Sequence, residues 1–255
     1  MNKKARILVA VAASLVAIPA IASTMSHALK PKEIQWSFKG ALGRVDKQAA
    51  QRGFQVYKEV CSSCHSLKRV AFRNLADLGF SEDEVKTLAA TYKVQDGPND
   101  AGDMFDRPAR PSDRIPEPFA NEKAARAANG GAYPPDLSLM VKARHEGADY
   151  MYSLLTGFQQ PPADMKMNTG MHYNPYFAGG QIAMPAPLAE GAVTYQDGTV
   201  ASVDQMAQDV VNFLQWTAEP EMEHRKSLGL KVLLFMALFT IMFYVAKVRV
   251  WSKVK

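Results

Sequence analysis

Apolar residues recur at near-helical spacing in two well-separated segments, residues 43–60 and Val203–Thr217. This spacing places the apolar side chains on one face of a helix, so each segment is predicted to be an amphipathic helix. The apolar members of the first are Val45, Ala49, Phe54, Val56 and Tyr57, and those of the second are Met206, Val210, Val211, Phe213, Leu214 and Trp216.

Two shorter helices are predicted between them. One covers Leu137–Thr156 with a break near Gly147, because glycine is unfavourable inside a helix. The other runs from Ser81 to about Tyr92, because Ser81 and Glu84 have the spacing of a capping box. Met140, Met151 and Met206 occupy helical spacing and are predicted to be core residues.

Two long stretches lack clear periodicity. Residues 98–135 contain seven of the fifteen prolines, and residues 157–200 are rich in Gly, Pro, Met and aromatic residues. Loops of this length are uncommon in a compact domain unless they serve a site or a partner. With weak strand signals, the pattern predicts a mainly α fold in which a few helices are surrounded by long loops that serve a site or a partner.

The C-terminal part has the pattern of a transmembrane helix. Leu228–Ala246 contains 19 residues interrupted only by Lys231, and would span about 28 Å as a helix. The basic tail, residues 247–255, follows without acidic residues, and the positive-inside rule then places it in the cytoplasm. A buried core helix is the alternative, but it would not account for the basic tail.

The N-terminal part resembles a secretory signal peptide. Lys3, Lys4 and Arg6 precede the apolar run 7–18, and Ala20-Ile21-Ala22 matches a cleavage signal. Cleavage would leave residues 23–224 as an exported domain; a second small-residue site extends the signal to residue 28. An uncleaved N-terminal anchor is the alternative, although the run is short for one.

The two ends distort the overall charge. The chain carries a formal +5, of which residues 1–22 contribute +3 and residues 225–255 contribute +7, so residues 23–224 carry −5. An acidic exported domain argues against nucleic acid as a ligand and favours a basic soluble partner.

The two cysteines identify the chemistry. Cys61-Ser62-Ser63-Cys64-His65 is the attachment motif of a c-type haem, in which two thiols form thioethers and the histidine ligates iron. A zinc half-site would require further Cys or His ligands nearby, and a thioredoxin-like redox pair would require a βαβ context. Neither is present in the sequence, so we predict one covalent haem c.

The residues alone leave several candidates for the sixth iron ligand. Met184, in Gln181-Ile182-Ala183-Met184-Pro185, is favoured because the proline fixes the backbone beside the sulfur. His172 and three loop methionines, Met165, Met167 and Met171, are the alternatives. A histidine–methionine pair would fill both axial positions and raise the reduction potential.

Beyond the haem motif, the chain resembles the cytochrome c1 family of the cytochrome bc1 complex, in its bacterial form. The resemblance covers essentially the whole mature chain. It rests on A-R-A-A-N-G-G-A-Y-P-P-D-L-S at 124–138, K-A-R-H-E-G-A-D-Y at 142–150, S-L-L-T-G-F at 153–158 and N-P-Y-F-A-G-G-Q-I-A-M-P at 174–185.

The resemblance implies site residues and a fold. It implies a class I cytochrome c-like haem domain followed by one transmembrane helix, with Gly53, Phe54 and Tyr57 of the first helix meeting Phe213 and Trp216 of the last. Met184 would be the sixth ligand, and Arg144 would pair with a haem propionate. The haem pocket would be lined by Asn129, Ala132, Pro135, Tyr150, Leu154 and Phe177.

The resemblance also implies a function. The chain would be the electron-transfer subunit of a quinol–cytochrome c oxidoreductase, receiving electrons from a Rieske iron–sulfur protein and passing them to a soluble c-type cytochrome. It would sit in the inner membrane beside a cytochrome b subunit, with its haem domain in the periplasm and the whole complex dimeric. The candidate docking surface for the soluble cytochrome consists of Asp77, Glu82, Asp83 and Glu84.

Two other functions are consistent with the haem motif. A membrane-tethered electron shuttle outside any bc1 complex would need no dedicated partners. A haem enzyme or gas sensor would need an open axial position on the iron.

Overall fold

The computed structural model describes residues 28–254, so the predicted signal peptide lies outside the described residues. The fold is mainly α-helical, as predicted. The helices are α1 (Lys47–Glu59), α2 (Glu82–Ala90), α3 (Glu122–Ala128), α4 (Gly147–Thr156), α5 (Val203–Ala218) and α6 (Met222–Trp251), with two 3₁₀ helices at Cys61–Ser63 and Phe72–Leu78.

The strands of the described region form two small antiparallel hairpins. β1 (Lys93–Asp96) pairs with β2 (Phe105–Pro108), and β3 (His172–Tyr173) pairs with β4 (Gln181–Ile182). The second hairpin brings the two ends of the loop 172–182 together and leads directly to Met184.

Side-chain caps begin α1, α2 and α5, and the cap at Ser81 is the one that the sequence predicts. Asp46 accepts a hydrogen bond from the backbone N–H of Ala49 at the start of α1, and Ser202 caps α5 in the same way. At α2, Ser81 and Glu84 form the predicted capping box, with the Ser81 N–H donating to Glu84 Oε2 at 2.8 Å. The helices predicted over residues 43–60, 81–92 and 203–217 are therefore confirmed.

The prediction for Leu137–Thr156 was half wrong. Only Gly147–Thr156 is α-helical, because Glu146 lies in the left-handed region at φ 62° and stops a helix from running through it. Residues 137–146 form turns, and their apolar members Leu137, Met140 and Val141 are buried in the core. Their spacing therefore reflects burial and not a helix. The short helix α3, begun by an Asn121 cap, lies in a stretch predicted to be loop.

The core is organised by the crossing of α1 and α5. A Cβ on Gly53 would lie 2.0 Å from the Asp209 carbonyl oxygen, so only glycine permits the observed approach. Phe54 and Tyr57 place their ring centroids 5.5 and 5.9 Å from that of Phe213. The predicted meeting of the first and last helices of the domain is confirmed.

A buried ion pair fastens the same crossing. The Arg52 guanidinium donates from Nε and Nη2 to the two carboxylate oxygens of Asp209, each at 2.9 Å, and Asp209 is fully buried. Gln205 donates a further hydrogen bond to Asp209 at 3.1 Å. The charge on the buried Asp209 is thereby compensated by a cation and by a further hydrogen-bond donor.

Replacing Arg52 with methionine is expected to destabilise the domain by about 3–5 kcal/mol, because Asp209 would remain as an uncompensated buried charge. The measurement is chemical denaturation of the full chain in detergent, followed by tryptophan fluorescence. Arg73→Met is the matched control, since Arg73 is exposed and forms no ion pair within residues 28–254. Equal midpoints for the two variants would contradict the expectation.

Helix α6 is long and apolar enough to cross a membrane, with a mean hydropathy of 2.2 over its most apolar window and none of that window buried. Its first turns are bound to the domain. Lys226 Nζ donates to the carbonyl oxygens of Phe38 and Gly43 at 2.7 and 3.1 Å, and Glu223 accepts from the Val45 N–H at 3.1 Å. The predicted span, residues 228–246, lies inside α6 beyond these contacts.

Candidate functional site

The Cys-x-x-Cys-His segment follows directly on α1. The N–H groups of Cys64 and His65 both donate to the Cys61 carbonyl, at 3.1 and 2.9 Å, which closes a tight turn. The buried Tyr57 hydroxyl donates to the His65 carbonyl at 3.0 Å and ties the turn to the core. Cys61 and Cys64 are half-buried, and neither forms a disulfide.

The ring of His65 is held in a defined orientation. Its Nδ1 lies 2.8 Å from the Pro135 carbonyl oxygen, and because a carbonyl can only accept, Nδ1 carries the proton and donates it. The other ring nitrogen, Nε2, then has the free lone pair that a metal ligand needs. Burial lowers the pKa of His65, which favours the neutral ring.

These groups form the donor set of a c-type haem. The turn 61–65 carries the unpaired thiols of Cys61 and Cys64. It also carries the neutral imidazole of His65, whose Nδ1 is already hydrogen-bonded. The hydrogen bond to Nδ1 is the usual second partner of a ligating histidine and also raises its basicity. The residues present therefore fit a covalent haem c.

Three predicted pocket residues, Asn129, Ala132 and Pro135, lie on the segment that includes the Pro135 carbonyl, the hydrogen-bond partner of His65. Asn129 ends α3 and donates from its side chain to the Ala125 carbonyl at 2.7 Å, and the Ala132 N–H donates to the Asn129 carbonyl at 3.0 Å. Pro135 follows after this turn. Of the three, the structure links only Pro135 directly to the haem motif, through its bond to His65.

Two further predicted residues, Leu154 and Phe177, are joined by a residue that the sequence analysis did not single out. The fully buried Asn174 donates from Nδ2 to the Leu154 carbonyl at 2.7 Å and accepts on its own carbonyl from the Phe177 N–H at 3.1 Å. A polar residue between two predicted pocket segments was the available signal. Asn174 fixes the loop that leads into β4 and Met184.

Met184 is half-buried in the loop after β4. The three methionines predicted to be core residues, Met140, Met151 and Met206, are indeed buried. The alternative ligands Met165, Met167 and Met171 are half-buried in their loop, and His172 is exposed on β3. Met184 as sixth ligand stays a prediction.

Arg144 is exposed beside the pocket helix α4. Within residues 28–254, the only hydrogen bond of its side chain is to the neighbouring Ala143 carbonyl, at 3.1 Å, and it forms no ion pair there. Burial raises the pKa of Tyr150, and the charge of Arg144 opposes that rise, so the two side chains share one electrostatic environment. A free cation there is suited to an anionic group.

The four candidate docking residues are all exposed. Asp77 lies near the end of the second 3₁₀ helix, and Glu82, Asp83 and Glu84 form the first turn of α2. Hydrogen bonds from the Ser81 backbone and hydroxyl lower the pKa of Glu84. Glu84 therefore also serves as a cap, whereas the other three carboxylates have no such role.

Comparisons with known proteins agree on one family. The model of the "Cytochrome C1 family" matches residues 36–254. A cytochrome c1 of Rhodospirillum rubrum is 53% identical over 86% of this chain and 87% of its own length. A mitochondrial cytochrome c1 heme protein of Arabidopsis thaliana is 52% identical over 86% of this chain and 71% of its own. A Bradyrhizobium diazoefficiens protein named cytochrome b/c1 is 49% identical over 88% of this chain, which spans 36% of it.

Proposed function

The chain belongs to the cytochrome c1 family, whose members carry one covalent haem c and serve electron transfer in the bc1 complex, and from this premise we propose its route and its residues. Electrons arrive from a Rieske iron–sulfur protein and leave to a soluble c-type cytochrome. The bound haem supplies a one-electron redox centre, while the protein supplies its position and its surroundings.

Cys61 and Cys64 would hold the haem through two thioethers, and His65 Nε2 and the Met184 sulfur would ligate its iron. The observation that carries the assignment of His65 is its bond from Nδ1 to the Pro135 carbonyl, which leaves Nε2 as the only ring nitrogen able to ligate. A thioether from Met184 would stabilise the reduced state of the bound haem.

The remaining predicted residues shape the pocket. Arg144, which is exposed and has no carboxylate partner in the described region, neutralises a propionate. Tyr150 and Leu154 on α4 exclude water from one side. Asn129, Ala132, Pro135 and Phe177 complete the lining.

The chain sits in the inner membrane, with residues 23–224 in the periplasm, residues 228–246 across the bilayer and residues 247–255 in the cytoplasm. Membership in the bc1 complex implies a cytochrome b partner, and a relative named cytochrome b/c1 supports that partner. The contacts that fasten α6 to the domain would hold the haem domain close to the membrane surface. The complex is dimeric.

The test is purification of the chain under mild detergent through a tag on its C-terminus. Cytochrome b and a Rieske protein are expected to accompany it, and quinol is expected to reduce its haem only when both are present. A lone low-spin cytochrome, obtained repeatedly, would contradict the proposal and favour a tethered shuttle. A high-spin ferric haem would instead favour a haem enzyme or sensor.

The acidic residues Asp77, Glu82 and Asp83 are proposed to steer a basic cytochrome to the haem domain. The triple variant Asp77→Asn, Glu82→Gln, Asp83→Asn is expected to lower the rate constant of electron transfer to that cytochrome by roughly tenfold at low salt. The difference should vanish as salt shortens the screening length to about 8 Å and below. Stopped-flow measurement over a salt series checks this.

The control for steering is Asp164→Asn, which removes an exposed carboxylate on a different loop. Its rate should follow that of the parent chain at every salt concentration. A parent rate that does not depend on salt, or an equal loss in the control, would contradict docking at this surface.

A further inference from the structure

We propose that Asp136 is a positioning residue, whose carboxylate holds the Pro135 carbonyl against the ring of His65. This inference rests on the proposed role of His65 as an axial ligand. Asp136 lies in the segment 124–138 that carries the family resemblance, but the sequence assigned it no role, because two of its hydrogen-bond donors lie about 70 residues away.

The carboxylate of Asp136 joins two segments that are about 70 residues apart in the sequence. Oδ2 accepts from the Ser66 hydroxyl at 2.9 Å and from the Lys68 N–H at 2.8 Å. Oδ1 accepts from the Ser138 N–H at 3.0 Å. Three donors from both segments therefore converge on one side chain.

Two more hydrogen bonds run beside this carboxylate. The Leu137 N–H donates to the Ser66 carbonyl at 2.9 Å, and the Arg69 N–H donates to the Ser138 hydroxyl at 3.2 Å. Ser138 is fully buried and Ser66 is 7% exposed, so these bonds are largely shielded from water. Losing a buried acceptor there would leave donors unpaired.

The carboxylate is held in its charged form. Burial would raise the pKa of Asp136, but the hydrogen bonds from Lys68, Ser138 and Ser66 outweigh it and lower the pKa below its ordinary value. An ionised carboxylate can only accept, which matches the three donors around it.

The hydrogen bonds around Asp136 act on the His65–Pro135 bond because they involve the residues next to both of its partners. Ser66 follows His65 in the chain, and Asp136 follows Pro135, so the Pro135 carbonyl belongs to the peptide unit that leads into Asp136. Fixing Ser66 against Asp136 therefore fixes the ring nitrogen against the carbonyl, which lies 2.8 Å away. A ligating histidine depends on such a partner for its tautomer and orientation.

Asparagine cannot replace this carboxylate without loss. If its amide nitrogen occupied the Oδ2 position, it would face the Lys68 N–H, donor against donor. If it occupied the Oδ1 position, it would face the Ser138 N–H in the same way. In either orientation Asp136→Asn keeps the side-chain shape but breaks at least one backbone hydrogen bond.

The experiment measures exchange of the His65 Nδ1 proton with solvent, by nuclear magnetic resonance of the reduced, haem-loaded full chain labelled with ¹⁵N-histidine. In Asp136→Asn the exchange is expected to be about tenfold faster than in the parent chain, because the bond to Pro135 opens more often. Ser66→Ala removes one of the three bonds to the carboxylate and keeps its charge, so a smaller acceleration, about threefold, is expected.

The matched control is Asp113→Asn. Asp113 is also an acceptor of side-chain and backbone hydrogen bonds, from Arg107 and the Arg110 N–H, and these are not bonds to the haem motif. In Asp113→Asn, the His65 Nδ1 proton should exchange with solvent at the same rate as in the parent chain. The proposal would be overturned if Asp113→Asn accelerated the exchange as much as Asp136→Asn does. It would also be overturned if neither Asp136→Asn nor Ser66→Ala accelerated the exchange.

If Asp136→Asn fails to accumulate, Ser66→Ala alone decides: unchanged exchange would overturn the proposal, and acceleration supports it. The result is separable from the proposed function. Absence of quinol-dependent reduction in the parent chain would overturn the electron-transfer route, whereas faster exchange in Asp136→Asn would still support positioning of His65.

Discussion

Replacing both Cys61 and Cys64 with alanine is expected to abolish covalent haem completely. The two thiols are half-buried and unpaired on one turn, and no other cysteine is present in the chain to form a thioether. The measurement is the haem that remains with the polypeptide after extraction with acidified organic solvent, assayed by the pyridine haemochrome spectrum. The parent chain should retain one haem and the variant none.

The control for this loss is Ser62→Ala with Ser63→Ala. These residues lie on the same turn and donate side-chain hydrogen bonds to the carbonyls of Lys58 and Val60, at 2.7 and 3.1 Å. Their loss weakens the turn but leaves both thiols. Haem that stays bound without the thiols, or is lost equally without the hydroxyls, would contradict attachment at Cys61 and Cys64.

Replacing Met184 with leucine is expected to lower the reduction potential of the haem by several hundred millivolts, within the ~0.8 V over which axial ligands set it. Leucine is close to methionine in volume but has no sulfur, so the reduced state loses its stabilising ligand while packing changes little. A redox titration of the purified chain measures the shift. The reduced variant should also bind carbon monoxide, since one axial position is then open.

Met171→Leu is the matched control for Met184→Leu, because Met171 is half-buried in the neighbouring loop. It should leave the potential and the carbon monoxide behaviour unchanged. If Met171→Leu shifts the potential and Met184→Leu does not, the sixth ligand is Met171. If neither does, Met165, Met167 and His172 are the next variants to measure.

Local signals in the sequence predicted much of the fold. The capping box at Ser81 acts on backbone groups within one turn, and the apolar spacing of α1 reflects its buried face. Helix α5 keeps its apolar spacing although it is buried on all sides from Asp209 to Ala218. Both kinds of signal depend on residues close in the sequence. The corresponding helices began and ended within a few residues of their predicted bounds.

The same signals gave a wrong prediction where apolar residues are buried without being part of a helix. Leu137, Met140 and Val141 have helical spacing and are buried, yet the chain around them forms turns. The segment is held to Ser66, far away in the sequence, by the Leu137 N–H, and Glu146 in the left-handed region prevents continuation into α4. Long-range hydrogen bonds here override the local preference.

The family resemblance implied that the two amphipathic helices meet at Gly53. The sequence by itself determined the haem motif, the long apolar C-terminal helix, and the two amphipathic helices α1 and α5. Each depends on a short pattern whose physical meaning does not require knowing what lies opposite. Only the tertiary structure decided which nitrogen of His65 is free, because the partner of Nδ1 is a backbone carbonyl 70 residues away. It also supplied the contacts on which the proposed role of Asp136 and the buried hydrogen bonds of Asn174 rest, since a polar side chain shows its function only through the donors and acceptors that folding places around it.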